Sequence, residues 1–243
     1  MIIYEGRGQG PPSNDPLYDG DFSDCSLSKH TNDLNDFVQA LPPRLFPTSS
    51  AGAFHLAGFS FGGRAALHFA ASELPTRPRI LSLHVTGVSA TRDAHARAIL
   101  TAWSGMLESD GVEEEILIAF GHDIIRRSHS PEFLAKNAAR IDTWVNLVVA
   151  SNTVLGVGNI IRQSHSTTLS VAELVERVHC HARFITGEHD ELCGASSNVE
   201  DGMKAFKSAT VVKNSGHAVP LEQPKIWRDD LLSFIKENST HTV

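Results

Sequence analysis

Residues 53–71 read AFHLAGFSFGGRAALHFAA: an apolar run, a serine fenced by glycines, then an Ala/Leu/Phe segment. Ala53 to Ala57 has the composition of a buried strand, while Gly62 to Ser72 favours helix through its alanines, with Pro75 marking the exit. Between them, Gly58-Phe59-Ser60-Phe61-Gly62 fits G-x-S-x-G. Glycines at these two places let a strand reverse steeply into a helix without Cβ clashes, leaving the serine exposed on a strained turn. Three fixed positions match by chance on the order of 0.1 times in a chain this long. The strand-turn-helix context therefore separates a nucleophile at Ser60 from an ordinary loop serine.

Working outward, Met1 to Glu5 is a short strand candidate that breaks at Gly6 to Gly10, and Pro11 to Ser28 has the Pro, Asp, Gly and Ser content of a surface loop. Leu34, Phe37, Val38 and Leu41 recur at helical spacing until Pro42-Pro43 stops them. Further strands are predicted at Ile80 to Val88, Ala182 to Thr186 and Ala209 to Val212. Strands alternating with helices imply an α/β fold with a mostly parallel sheet. The roughly ninety residues between the second and third of these strands far exceed an ordinary loop and carry helical patterning. The division expected is a core of residues 1–90 and 182–243, with residues 91–181 as a helical insertion. Gly156-Val157-Gly158 is expected to bend the last part of that insertion.

A serine hydroxyl needs a base, and the base needs an orienting group. Asp190 follows the apolar run Arg183 to Thr186, and His217 follows Val211-Val212, so both sit where a strand empties into a turn. The order Ser60, Asp190, His217 is that of a nucleophile-acid-histidine triad on a strand-helix scaffold. Asp190 is also placed to cap a following helix, and Glu188, Glu191 and Asp93 are alternative acids.

These stretches carry a resemblance. ITGEHDELC looks like the acid turn of the α/β-hydrolase superfamily, SGHAVPLEQP like its histidine loop, and YEGRGQGPPS like the turn after its fourth strand. The resemblance implies a sheet of that family's type, lacking its first three strands, with residues 91–181 as the cap. It implies that Ser60 attacks an acyl carbon, His217 moves the proton and Asp190 orients the imidazole. The Phe61 backbone N–H would be one oxyanion donor. Arg64 resembles the G-G-R of several members, including a menaquinone-pathway lyase. The candidate substrate contacts are Phe59, Arg64, Trp103, Phe133 and Trp144. The loop that supplies the family's second oxyanion donor follows its third strand. Its place is taken by one of three arrangements: a longer native chain, Met1 to Glu5 shifted so that the Gly6 to Gly10 amides face Ser60, or a second subunit on the bared edge. The last predicts a homo-oligomer.

Composition narrows the partners. The formal charge of −7 arises from 28 acidic and 21 basic residues without a long run of either sign, which argues against nucleic acid or an anionic membrane surface. No apolar run approaches a membrane span, and the first residues do not read as a leader. Three cysteines without redox or metal-type spacing suit free thiols in the cytoplasm. His179, Cys180 and His181 are too close together for the usual zinc pattern and read as structural, so no metal is expected. The reading is a serine hydrolase acting, without a cofactor, on an ester or thioester of an apolar acyl group. The competitors are a triad-based lyase or synthase and a noncatalytic binding protein.

Overall fold

The computed structural model describes residues 1–3, 6, 23–45, 52–74, 79–88, 94–163, 171–193 and 208–239. Met1 to Ile3 do not form a strand. The rest of the expected Met1 to Glu5 strand, Arg7 to Gly10, most of the following loop, Pro75 and Asp93 lie outside the described residues.

Helix α1, Leu27–Ala40, starts earlier than its apolar spacing suggested, because the Ser26 hydroxyl caps it by accepting from the Lys29 N–H at 3.2 Å. It ends before Pro42, as expected. Strand β1, Phe54–Phe59, runs two residues past Ala57, since Gly58 and Phe59 pair with Val85 and Thr86. Helix α2, Phe61–Ala71, follows after the single residue Ser60. Strands β2 (Ile80–Thr86), β3 (His181–Gly187) and β4 (Ala209–Val212) join it in a four-stranded sheet among the described residues. The order is β1-β2-β3-β4 with every pairing parallel, the α/β architecture the alternation implied.

Parallel strands bury both faces, and alternation along each strand shows how. Leu83, Val85 and Phe184 join Leu67, Phe69 and Ala70 of α2, with α1 and α8 (Val171–Glu176) on the same side. Ile185 and Val212 instead face Val219 of the short helix α9 (Val219–Glu222) and Trp227 of α10 (Pro224–Ser239). On that second face the Trp227 indole donates to the Thr86 hydroxyl at 2.9 Å.

Between β2 and β3 lie α3 (Ala94–Leu107), α4 (Glu113–Ser128), α5 (Pro131–Lys136), α6 (Ile141–Ser151) and α7 (Val154–Gln163), ahead of α8. Ile99, Trp103, Leu107, Phe120, Val157 and Ile161 form a hydrophobic cluster of their own there. The Trp103 indole and the guanidinium groups of Arg126 and Arg127 converge on the Asp123 carboxylate at 2.7–2.8 Å, pinning α3 to α4. The chain bends by 89° at Asn152-Thr153, not at Gly156-Val157-Gly158. Side-chain capping explains the place: the Asn152 amide donates back to the Val148 carbonyl, and the Thr153 hydroxyl accepts from the Gly156 N–H. Both glycines are buried inside α7. Among the described residues no single helix is long and apolar enough to cross a membrane.

Phe69 is fully buried between α2 and the sheet, whereas Leu147 is 59% exposed on α6. In urea titrations Phe69→Ala is expected to lose about 3–5 kcal/mol, and Leu147→Ala to stay within about 0.5 kcal/mol of the parent. Similar losses for both would contradict the packing described.

Candidate active site

All four strands point the same way, so the turns leaving β1, β3 and β4 meet at one edge of the sheet, where α/β proteins place their ligands. Ser60 occupies the first turn with φ 52° and ψ −121°, a backbone state that a non-glycine residue rarely adopts. Its N–H donates to the Thr86 carbonyl at 2.8 Å, and its own carbonyl accepts from Arg64 in the first turn of α2. The turn is so tight that a Cβ on Gly58 would stand 2.5 Å from the Gly62 carbonyl oxygen and 2.7 Å from Gly63 Cα.

The Ser60 hydroxyl lies 2.8 Å from His217 Nε2. On the other side of the ring, Nδ1 is 2.9 Å and 3.0 Å from the two Asp190 oxygens. A carboxylate only accepts, so Nδ1 carries the proton and Nε2 is left to accept from Ser60. Asp190 and His217 are 1% and 3% exposed. Asp190 is further held by the Thr186 hydroxyl at 3.0 Å and by the N–H groups of Leu192 and Cys193 at 3.0 Å and 2.9 Å. Burial alone raises its pKa. The charge and hydrogen bond of His217, with the donations from Cys193 and Thr186, outweigh burial and hold the carboxyl below its ordinary value.

The histidine loop is tied down from two sides. Glu222 accepts from the Gly216 N–H at 2.9 Å and from the N–H and hydroxyl of Ser130 at 3.0 Å and 2.6 Å. The Ala218 N–H donates to the Ser128 carbonyl at 2.8 Å. Gly87 has φ +61°, and a Cβ there would approach His217 Cε1 to 2.8 Å.

A cavity of about 400 Å³ opens on Ser60 and His217. Of the candidate substrate contacts, Phe59, Arg64 and Trp103 lie in its wall, together with Phe61 and with Leu100, Phe120, Ile124, Val157 and Ile161 from the helices above. Burial lowers the Arg64 pKa while Cys193 acts in the opposite direction. Phe133 and Trp144 are not in the wall. Helices α5 and α6 turn them onto His129 in a parallel stack with centroids 5.1–5.8 Å apart, and it is His129 that reaches the cavity. Of the alternative acids, Glu188 pairs with Lys213 and Glu191 with Arg127. His181 hydrogen-bonds Asn238, away from Ser60, Asp190 and His217. A second groove of about 470 Å³, bordered by Met106, Ile125, Leu134 and Ile141, includes none of Ser60, Asp190 or His217.

Sequence reasoning missed Cys193, whose Sγ lies 3.7 Å from His217 Nδ1 and donates to the Gly87 carbonyl at 3.0 Å. Its spacing from Asp190, three residues on in the same turn, was the available signal. Asp190, Cys193 and His217 together form a group of potential metal ligands, where none had been expected.

The sequence profile of the alpha/beta hydrolase family matches residues 2–229. No curated protein matches by sequence. Among solved structures, the enol-lactonase of Burkholderia xenovorans LB400 superposes with a TM-score of 0.71 at 16% identity, covering 96% of this chain and 79% of its own. A thermophilic esterase from Thermogutta terrifontis, with malate bound, gives 0.69 at 17%, covering 89% and 74%. An alpha/beta hydrolase enzyme from a Medee basin deep-sea metagenome library gives 0.68 at 20%, covering 87% and 72%.

Two outcomes follow from this geometry. Gly58→Ala should lose about 3 kcal/mol by overpacking backbone against backbone, whereas Gly62→Ala, with nothing within 4 Å of the new Cβ, should fold almost as the parent does. Equal stabilities in denaturant would rule out the tight turn. For Asp190, a folded pKa below the ordinary value of about 3.9 means that its contribution is complete above that value and lost as pH falls through the folded pKa. Unfolding free energies from about pH 5 to about pH 2 should therefore fall more steeply for the parent than for Asp190→Asn. Parallel curves would contradict the assignment.

Proposed function

The chain is an enzyme of the alpha/beta hydrolase family, and from that premise we propose that it cleaves an ester or thioester of a small, largely apolar acyl substrate by acyl transfer to Ser60. The observation that carries the reading is the continuous link from Ser60 through His217 to a buried Asp190, at 2.8 Å and 2.9 Å, opening on an apolar-walled cavity. His217 Nε2 takes the hydroxyl proton as Ser60 Oγ attacks the acyl carbon, then returns it to the leaving group. Asp190 stabilises the imidazolium that forms between those steps. A water activated by the same nitrogen releases the acyl group and restores Ser60.

The tetrahedral oxyanion needs donors. Phe61 is the first residue of α2, so its N–H has no intrahelical acceptor and is directed with the positive end of the helix dipole. We assign it as one donor. The helices of residues 91–181 act as the cap in this reading, with Leu100, Trp103 and Phe120 excluding water from the acyl chain. An enol-lactonase and an esterase among the similar structures are consistent with an ester or lactone bond. Three cysteines outside any disulfide suit the cytoplasm as the compartment of this chain. Arg64 in the cavity wall keeps a lyase or synthase reading in play, because a cation there would hold an anionic part of a substrate while the triad served as a base.

A fluorophosphonate probe should label Ser60, mapped by mass spectrometry, and fail to label Ser60→Ala or His217→Ala. Turnover of an acyl-ester series should fall by a factor on the order of 10⁴ or more in either variant. Turnover without an acyl-enzyme at Ser60 would favour the lyase. Ligand binding unchanged in Ser60→Ala, with no labelling or turnover in the parent, would favour a binding protein.

A further inference from the structure

Cys193 stands against the triad, yet the hydrolytic cycle gives its thiol no task. Its Sγ, His217 Nδ1 and an Asp190 oxygen all lie within 4.8 Å of one another, and all three residues are buried. We propose that this triangle binds zinc or another thiophilic divalent cation, and that occupancy switches the hydrolase off. The switch, though not the binding, rests on His217 acting as the general base.

The donor set is a thiolate, an imidazole and a carboxylate, the three types that hold zinc. With Zn–S near 2.3 Å and Zn–N near 2.0–2.1 Å, a tetrahedral angle separates sulfur from nitrogen by roughly 3.6 Å. The observed Sγ to Nδ1 separation is 3.7 Å. The Nδ1 to Asp190 distance of 2.9 Å has to open by only a few tenths of an ångström to reach the roughly 3.3 Å that the same geometry needs. Two anionic ligands cancel the charge of a divalent ion, which a buried position requires. Both Cys193 and His217 line the cavity, the side from which an ion would enter. One soft sulfur and one nitrogen disfavour magnesium and calcium, which take oxygen ligands.

Inhibition follows from where the ion sits. It replaces the proton between Nδ1 and Asp190; the thiol proton leaves to solvent, and the single proton of the neutral imidazole moves to Nε2. That nitrogen then donates and no longer accepts from the Ser60 hydroxyl 2.8 Å away. Chelation reverses each step.

Cadmium serves as the probe because a cadmium–thiolate bond absorbs in the ultraviolet. The parent, Cys193→Ser and Cys193→Ala are titrated with cadmium, and Ser60 labelling by the fluorophosphonate is timed with zinc, with zinc followed by chelator, and with magnesium. Cys25 and Cys180 remain in every variant, so the Cys193 signal is a difference. The parent should show one additional cadmium–thiolate band, and zinc should slow labelling at least about tenfold, reversibly, with magnesium inert. Both Cys193 variants should lose the band and require at least about tenfold more zinc for the same slowing. If they are misfolded by circular dichroism, His217→Ala replaces them for the cadmium titration, since it removes a ligand without altering Cys193. Cadmium spectra and zinc responses identical in the parent and the Cys193 variants would overturn the site. Cadmium bound at Cys193 with unchanged labelling would overturn the switch. Absent labelling of the metal-free, folded parent would overturn the hydrolytic reading and the switch with it, while the cadmium spectra still decide the site.

Discussion

The backbone of Ser60 is the constraint around which the molecule is arranged. A non-glycine residue at φ 52° and ψ −121° costs about 1–3 kcal/mol and persists only where its surroundings leave no alternative. Here they leave none. The preceding strand is locked to β2, the Ser60 N–H is held by Thr86, and α2 begins at the next residue with its buried face against the sheet. Burial of Leu67, Phe69 and Ala70 thus supplies the free energy that the turn consumes, and the hydroxyl is fixed before any substrate arrives.

A second constraint is electrostatic. Asp190 and His217 lie where solvent contributes almost nothing, so every polar atom must be matched or its desolvation goes uncompensated. Asp190 meets this with the Thr186 hydroxyl and two backbone N–H groups besides the imidazole. The low dielectric that makes the pair costly to bury also makes its geometry stiff. Glu222 extends that stiffness outward, since its one carboxylate joins the histidine loop to the junction of α4 and α5. That carboxylate thereby ties the helices over the cavity to the loop that carries His217.

What the sequence made legible is what depends on short spacing. Ser60, Asp190 and His217 each sit where an apolar strand breaks into a turn, a pattern contained in ten residues or fewer, and the structure brings the three side chains together. The β4 limits agree for the same reason, whereas β1 is longer than read because pairing with Val85 and Thr86 recruits Gly58 and Phe59. The bend after α6 was misplaced because glycine content was weighed above the capping side chains of Asn152 and Thr153. Phe133 and Trp144 have the apolar, aromatic character of pocket residues, and only the crossing of α5 and α6 reveals that they stack on His129 instead. Cys193 was read by counting cysteines, a compositional argument that is blind to a partner 24 residues away in the chain.

The cavity shows how packing and specificity are coupled in this chain. Trp103, Phe120, Val157 and Ile161 line the cavity and also make up most of the second hydrophobic cluster. Trp103 is 3% exposed and its indole is committed to Asp123. Enlarging the pocket at such a position removes core contacts from α3, α4 and α7 at the same time, so a larger cavity there carries a cost in stability. Leu221 differs, being 65% exposed while still reaching the cavity from the short helix after His217. Substitution at that rim alters the entrance without withdrawing a buried side chain from either cluster. Substrate range is therefore easier to change at the mouth than along the walls, because only at the mouth are shape and stability carried by different atoms.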